Sequence, residues 1–264
     1  MIDRWFRRAA GAPAAGDIEK LLSGHVAWWH LLAPDERERV TALTAELVER
    51  FRWEAAQGFE LVDTMRVLIA AQGALMLLGI GDDSALDNVG TIIVHPSTVV
   101  RSGEHSVGGG VMSRSPLTLA GEAHHRGPVL ISWRAAQRDL RRLGTGTNVV
   151  IHELAHKLDM LDGLLDGTPP LVDAGVRDRW VEVCNAELVR LRRGDSSPLR
   201  AYAATNPAEF FSVASEVFFD RPLALAVHRP ALFDVLRDFY GQDPAARLAA
   251  ATAAATADGA GPGG

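Results

Sequence analysis

The sequence predicts an α+β protein that is mostly helical, with a small sheet beside one buried helix. Apolar residues recur at helical spacing over most of the chain. Only a few short segments show the β-branched, turn-bounded pattern of strands. The clearest strand, Gly127–Trp133, is followed by an arginine-rich segment and then by an apolar helix near Asn148, so we expect the sheet to lie beside that helix.

The first part of the chain reads as helical after a weakly specified arm over residues 1–16. The predicted helices share apolar side chains three and four residues apart. They are Asp17–His30, a helix from Pro34 to about Arg52, and a helix from Asp63 that Gly79 and Gly81 end. We therefore predict an N-terminal helical region over residues 1–60.

The remaining chain is predicted to form a second domain over residues 61–245. Its expected elements are strands at Thr91–Val94, Val99–Val100 and Gly127–Trp133, a loop at Ser102–Gly110, and helices at Asn148–Gly163, Ala174–Arg193, Pro207–Phe219 and Leu223–Phe239. The last residues are low in complexity, which predicts a disordered tail over residues 246–264.

Composition narrows the classes of function. The 264 residues are 47% hydrophobic and 23% charged, as in ordinary globular proteins, and the net charge of −6 argues against a nucleic-acid partner. The single cysteine, Cys184, excludes an intrachain disulfide and suits a reducing compartment. No apolar segment follows the N-terminal arginines, and the longest apolar run, Val67–Ile80, is too short to span a bilayer. We therefore expect a cytoplasmic protein with no membrane partner.

The most informative stretch is Asn148–Gly163, which reads NVVIHELAHKLDMLDG and holds His152, Glu153 and His156 as H-E-x-x-H. Residues four apart lie on one face of a helix, so the two imidazoles can grip one metal ion while Glu153 reaches a water on that ion. This spacing is typical of a zinc hydrolase. The alternative is a helix with two histidines by accident, but burying them with an acid would be costly without a metal.

A catalytic zinc usually has three protein ligands, and the third is not evident. Asp162 lies at the metzincin ligand position, but Asp159 stands where that pattern has a glycine, so the helix need not break. Glu209 and Glu216 are seven apart, on one face of the predicted helix Pro207–Phe219. Glu209 is equally at the capping position of that helix, and Glu216 is equally an ordinary solvated carboxylate. The residues alone leave this choice open.

Two segments together, residues 149–163 and YAATNPAEFFSVASEVFF at residues 202–219, resemble the Mlc titration factor A family of bacterial zinc metallopeptidases. Residues 61–79 and 127–133 match as well, so the resemblance covers most of residues 50–240. The catalytic domain of the family is similar to the metalloprotease domain of anthrax lethal factor. The resemblance therefore implies a zincin-like fold of the gluzincin type.

The resemblance also implies roles for individual residues. In the family the carboxylate ahead of two phenylalanines is the third zinc ligand, which here is Glu209, and the tyrosine seven residues earlier lines the catalytic centre, which here is Tyr202. The wider gluzincin group has an acid four residues after this ligand, where this chain has Val213. Glu216, one turn further, is the residue that can take that supporting position.

We therefore predict a zinc-dependent peptidase that acts on a peptide or protein substrate. Zinc would activate a water and polarise the scissile carbonyl, Glu153 would be the general base, and zinc with Tyr202 would stabilise the oxyanion. The strand Gly127–Trp133 either pairs with an extended substrate or is an inner strand of the sheet.

A second function of a different class follows from the same resemblance. The family resemblance implies a partner, a transcriptional repressor of sugar uptake that the protein would sequester. The alternative is therefore a regulatory protein-binding module with a secondary or inactive zinc site. A purely structural zinc site is disfavoured because only one cysteine is present and Glu153 fits a catalytic role.

Overall fold

The structure, a computed structural model, describes residues 13–56, 58–97 and 127–259. Up to residue 97, the described residues hold three helices and two strands, which are, in chain order, α1 (Ala15–His25), α2 (Pro34–Arg50), β1 (Arg52–Ala55), α3 (Asp63–Leu77) and β2 (Thr91–His95). The second half begins with one strand and is otherwise helical: β3 (Val129–Ser132), α4 (Trp133–Arg141), α5 (Val149–Asp159), α6 (Ala174–Arg192), α7 (Pro207–Asp220), α8 (Pro222–His228), α9 (Pro230–Tyr240) and α10 (Pro244–Gly259). Short 3-10 turns lie at Ala27–Leu31, Met160–Asp162 and Ala201–Ala204.

The three described strands form a parallel sheet in the order β1-β2-β3. The register pairs Arg52 with Thr91 across β1 and β2, and Ile92 with Val129 across β2 and β3. Strand β3 is thus the outer strand on one side of the described sheet. Its inward side chains are buried, whereas Leu130 is 53% exposed, so the sheet covers the core with one face there.

Helix α5 lies at the centre of the molecule, packed against α7, α3, α4 and β3. The contact with α3 is close because α3 carries a glycine there: a Cβ on Gly73 would lie 3.3 Å from Leu154 and 3.1 Å from Leu47. Nine of the eleven residues of α5 are buried. A helix held on all sides in this way has little freedom to shift, which suits a helix that carries polar groups in fixed positions.

These elements confirm the α+β, mostly helical class with a small sheet beside the motif helix. The predicted division into residues 1–60 and 61–245 stays a prediction; one cluster of buried side chains runs from Ile18 to Ala245. No helix among the described residues combines the length and the apolar character needed to cross a membrane.

One predicted helix is too long, and two elements were not predicted. The helix predicted over Asp17–His30 ends at His25 and is followed by a separate 3-10 turn. Strand β1 was missed, because four residues with mostly exposed side chains carry no alternating pattern. The arginine-rich segment is helix α4, whose buried residues are Ala135, Ala136, Asp139 and Leu140. Residues 246–259 of the predicted tail belong to helix α10, since alanine has the highest helix propensity of all residues, and the rest of the tail lies outside the described residues. Val99–Val100 and the loop Ser102–Gly110 lie outside the described residues.

Candidate metal centre

The N-terminus of α5 is held by three side chains, its own N-cap and one residue from each of two other helices. Asn148 is its N-cap, as the sequence predicted: the Oδ1 atom accepts the Ile151 N–H over 3.1 Å. Asp139 of α4 accepts the Val149 N–H over 3.0 Å, and Glu216 of α7 accepts the Asn148 N–H over 2.7 Å. Free N–H groups at a helix start need acceptors, and carboxylates also interact favourably with the positive end of the helix dipole. The start of the motif helix is therefore fixed in place.

The two aspartates after the motif bind backbone and lie outside the cluster that can hold a metal. Asp162 accepts the Leu164 N–H over 2.9 Å, and Asp159 accepts the Gly167 N–H over 2.9 Å. Gly167 in turn packs against the start of α7, where a Cβ would lie 2.3 Å from the Pro207 carbonyl oxygen. This turn therefore fixes the distance between the end of α5 and the first turn of α7.

Helix α7 begins as the sequence predicts. Asn206 is the N-cap, its Oδ1 accepting the Glu209 N–H over 2.9 Å, and Pro207 follows at the first position. The Glu209 side chain, however, does not complete a capping box. Its Oε2 atom instead lies 3.2 Å from the Nε2 of His152 and 3.6 Å from the Nε2 of His156.

The structure thus brings His152, His156 and Glu209 into one cluster, with one ligand atom from each within 4.8 Å of the others. The two imidazole rings are perpendicular, with centroids 4.9 Å apart. His152 is fully buried, whereas 14% of the His156 side chain is exposed. Solvent therefore reaches the cluster from the side of His156.

Both histidines are oriented by α7 through their other ring nitrogen. The Nδ1 of His152 lies 2.6 Å from Glu216 Oε1, and the Nδ1 of His156 lies 3.1 Å from the Ser212 hydroxyl. A carboxylate can only accept, so Nδ1 of His152 carries a hydrogen, and Nε2 is the ring nitrogen that can give its lone pair to a metal when the ring is neutral. Sequence reasoning missed Ser212. Its signal was a polar residue three positions after Glu209 on a mostly apolar helix.

These residues fit a metal ion. The Nε2 of His152 and the Oε2 of Glu209 are buried, and among the described residues neither atom has a hydrogen-bond partner, although the two lie 3.2 Å apart. Buried polar atoms without partners are rare and costly. Ligand atoms around a tetrahedral zinc with bonds of about 2.0–2.1 Å lie roughly 3.3–3.4 Å apart, close to the separations seen here. Nitrogen and carboxylate donors suit zinc and neighbouring transition metals.

The electrostatics of the cluster favour positive charge at its centre. Burial by itself would lower the pKa of His152, but the carboxylates of Glu209 and Glu216 outweigh it and raise that pKa to about 10. Burial opposes ionisation of Glu209 as well, yet the two imidazoles hold its pKa well below the usual range. A cation at the metal position would meet the Glu209 carboxylate directly and would also be favoured by the negative charge of Glu216 behind the ring of His152.

The two predicted catalytic residues lie beside the cluster. Glu153 is half-buried, and burial raises its pKa while the imidazoles of His152 and His156 oppose that rise. The ring of Tyr202 lies 6.2 Å from the ring of His152. Burial and the Glu209 carboxylate raise the pKa of Tyr202, so its hydroxyl keeps its proton and can donate it in a hydrogen bond. Their catalytic roles stay predictions.

The chain matches a known family over nearly its whole length. The sequence model of the family described as "Glucose-regulated metallo-peptidase M90" matches residues 2–241. The match extends into the first 50 residues, which the motifs had left outside. The chain therefore belongs to this family of metallopeptidases.

Several relatives cover most of the chain. Mlc titration factor A of Serratia proteamaculans is 34% identical over 230 residues, which are 83% of this chain and 86% of the relative. The protein of the same name from Klebsiella pneumoniae is 32% identical over 82% of this chain and 83% of its own length. An uncharacterized protein of Synechocystis sp. is 30% identical over 86% of this chain and 84% of its own length.

Proposed function

We propose that this member of the M90 metallopeptidase family is a zinc-dependent peptidase whose metal ligands are His152, His156 and Glu209. The proposal rests chiefly on one observation: two buried ligand atoms, His152 Nε2 and Glu209 Oε2, lack hydrogen-bond partners in the described part of the chain and lie within 4.8 Å of each other and of a ligand atom of His156. Such an arrangement is costly without an ion and favourable with one. Its setting is expected to be the cytoplasm, where a chain with one cysteine needs no disulfide.

The residues around the metal position have separate roles in peptide hydrolysis. Zinc, when bound, supplies a Lewis acid that activates a water and polarises the scissile carbonyl. Glu153 takes the proton of the attacking water on its carboxylate and delivers it to the leaving amine. The Tyr202 hydroxyl donates a hydrogen bond to the oxyanion of the substrate as it forms.

An extended substrate has a place to bind beside this site. Strand β3 is the outer strand on its side of the described sheet and packs against α5, the helix of the motif. A peptide that pairs with the edge of β3 that no described strand occupies would run past the metal position in extended form. Lys157 of α5 fixes the start of this strand, because its ammonium group donates to the Gly127 carbonyl over 2.7 Å.

The test combines metal content with turnover. We expect about one zinc per chain in the wild type, and loss of most of it in His152→Ala and in His156→Ala, because a catalytic site has few ligands to spare. Glu153→Gln should keep the zinc and lower kcat on a peptide library by about 10²–10⁴-fold, since it removes the general base. Glu182→Gln, on the exposed side of α6, is the matched control and should leave both unchanged.

Two outcomes would contradict the proposal. Full zinc retention in both histidine variants would place the metal elsewhere. A zinc-loaded wild type that hydrolyses no peptide in the library would favour a second function instead. Two of the relatives are named as factors that titrate Mlc, and these names support the second candidate, a module that binds a repressor. Repressor binding that Glu153→Gln leaves intact, without any hydrolysis by the wild type, would establish it.

A further inference from the structure

Glu216 has all four of its acceptor positions occupied. It is 2% exposed and lies on α7, two turns after Glu209. One oxygen, Oε1, accepts hydrogen bonds from His152 Nδ1 and Arg200 Nη2, each over 2.6 Å. The other oxygen, Oε2, accepts hydrogen bonds from the Asn148 backbone N–H over 2.7 Å and from Arg200 Nη1 over 3.0 Å. A carboxylate offers about four lone-pair positions, so this one is saturated.

Arg200 supplies two of these four donors. Among the described residues it is also the only partner of Glu216 whose positive charge does not depend on protonation of a histidine. Its guanidinium forms the two-pronged pair that arginine makes with carboxylates, and 23% of its side chain is exposed. It also donates to the Gly146 carbonyl over 3.3 Å, just before α5. Its guanidinium lies 5.7 Å from the centre of the Tyr202 ring. Arg200 therefore contacts both the support of His152 and the predicted oxyanion donor.

We propose that Arg200 is a positioning residue of the metal centre: by fixing Glu216 it fixes the ring of His152 with Nε2 directed at the metal position. The inference rests on the proposed function, because it concerns the affinity of that site for zinc. Arg200 touches none of the three ligands through a hydrogen bond and acts through Glu216.

Without Arg200, Glu216 would lose two of its four hydrogen-bond donors. Only the Asn148 N–H and His152 Nδ1–H would then hold the carboxylate, one on each oxygen. The carboxylate could turn about its side-chain bonds, because the two-pronged pair that fixes its plane would be gone, and its Oε1 would no longer be held opposite Nδ1 of His152. The imidazole would then be free to rotate or to change tautomer, and metal-bound histidines depend on such hydrogen bonds for their orientation.

The experiment measures the dissociation constant of zinc by competition with a chelator, beside the melting temperature of each metal-free protein. Arg200→Gln should weaken zinc binding by about 10–100-fold, the usual cost of losing a group that orients a ligand. Arg200→Lys keeps the positive charge but cannot form the two-pronged pair with Glu216. Its dissociation constant for zinc should therefore lie between those of the wild type and Arg200→Gln. Arg192→Gln is the control, because Arg192 binds the nearby Ala204 carbonyl over 3.1 Å and should leave zinc affinity unchanged.

A double variant separates positioning from simple stabilisation. If Arg200 acts through Glu216, Arg200→Gln combined with Glu216→Gln should bind zinc no more weakly than Glu216→Gln alone. Effects that multiply would overturn the inference, as would an Arg200→Gln protein that melts earlier but binds zinc like the wild type. Should Arg200→Gln fail to fold, wild-type affinity in Arg200→Lys would overturn it equally. A wild type that binds no zinc would instead contradict the proposed function itself.

Discussion

Helix α7 carries two buried glutamates that differ in the hydrogen bonds they accept. Glu216, in the second half of α7, accepts four hydrogen bonds and is saturated. Glu209, in the first turn, has a buried Oε2 atom with no hydrogen-bond partner among the described residues. Both carboxylates face the same imidazole, Glu216 on the Nδ1 side and Glu209 on the Nε2 side of His152. One glutamate thus holds the ring, and the other shares with it a position that an ion would fill.

The difference shows how a ligand is distinguished from its support. Glu209 and Glu216 are both acidic, both buried and on one face of α7, so spacing cannot separate them. The number of donors around each oxygen can, because a saturated carboxylate has no lone pair left for a metal. We therefore propose Glu209 as the ligand and Glu216 as the group that orients His152.

The largest effect that tests this comparison is on zinc affinity. Glu209→Gln should weaken zinc binding more than Glu216→Gln, whose cost we expect to be about 10–100-fold, as for other groups that orient a ligand. The first change removes a negative ligand from the cation, whereas the second places an amide NH₂ against donors. Chelator competition on the two variants measures both. A Glu216→Gln protein that loses zinc while Glu209→Gln retains it would reverse the two assignments.

The next effect is on catalysis alone. Tyr202→Phe keeps the ring beside His152 but removes the hydroxyl, so zinc content and melting temperature should stay unchanged. Losing one oxyanion donor typically costs about 10²–10³-fold in kcat. Turnover of a peptide substrate measures this loss. Normal turnover would mean that Tyr202 only packs against the site, and loss of zinc would mean that it supports a ligand.

A third buried carboxylate, Asp159, tests how donors control ionisation. The Gly167 N–H donates to its Oδ2, whereas its Oδ1 has no hydrogen-bond partner within 3.5 Å among the described residues. Burial raises its pKa to about 7, helped by the negative charges of Asp166 and Asp162. The folded protein then holds this proton to a higher pH than the unfolded chain does, so stability falls as pH rises from about 4 to about 7.

Asp159→Asn removes that dependence and keeps an oxygen for Gly167. Relative to the wild type, we expect the variant to gain stability as pH rises through this window, by at most about 4 kcal/mol, since one pKa unit corresponds to about 1.4 kcal/mol. Denaturant unfolding at pH 5 and pH 8 measures the difference. A difference that is the same at both pH values would show that Asp159 is ionised throughout.

The smallest effect concerns the first turn of α7. Asn206→Ala removes the cap on the Glu209 N–H and should cost about 1 kcal/mol of stability. Asp173→Ala removes an equivalent cap at the start of α6, where Asp173 accepts the Val176 N–H over 2.9 Å, and should cost about as much. Only Asn206→Ala should also weaken zinc binding, because it loosens the turn that carries Glu209. Equal zinc affinity in the two variants would show that packing alone holds this turn.

Features that depend on neighbouring residues could be predicted from the sequence, whereas contacts between residues far apart along the chain could not. The caps Asn148 and Asn206 and the spacing of His152 and His156 are local patterns, and the structure has both helices where they predict them. The roles of Arg200 and Ser212 could not be predicted, because their partners lie 16 and 56 residues away along the chain. Helix α4 was not predicted because its buried residues are two alanines, one aspartate and a single leucine, which together give little hydrophobic signal.

The central claim is that one zinc ion binds between α5 and the first turn of α7. Anomalous diffraction at the zinc absorption edge, from crystals grown with zinc, tests it most directly. We expect a single peak within about 2.0–2.2 Å of His152 Nε2, His156 Nε2 and a carboxylate oxygen of Glu209, with Glu216 still on His152 Nδ1. A peak that includes Glu216 and excludes Glu209, a peak elsewhere in the molecule, or none at this position would contradict the account.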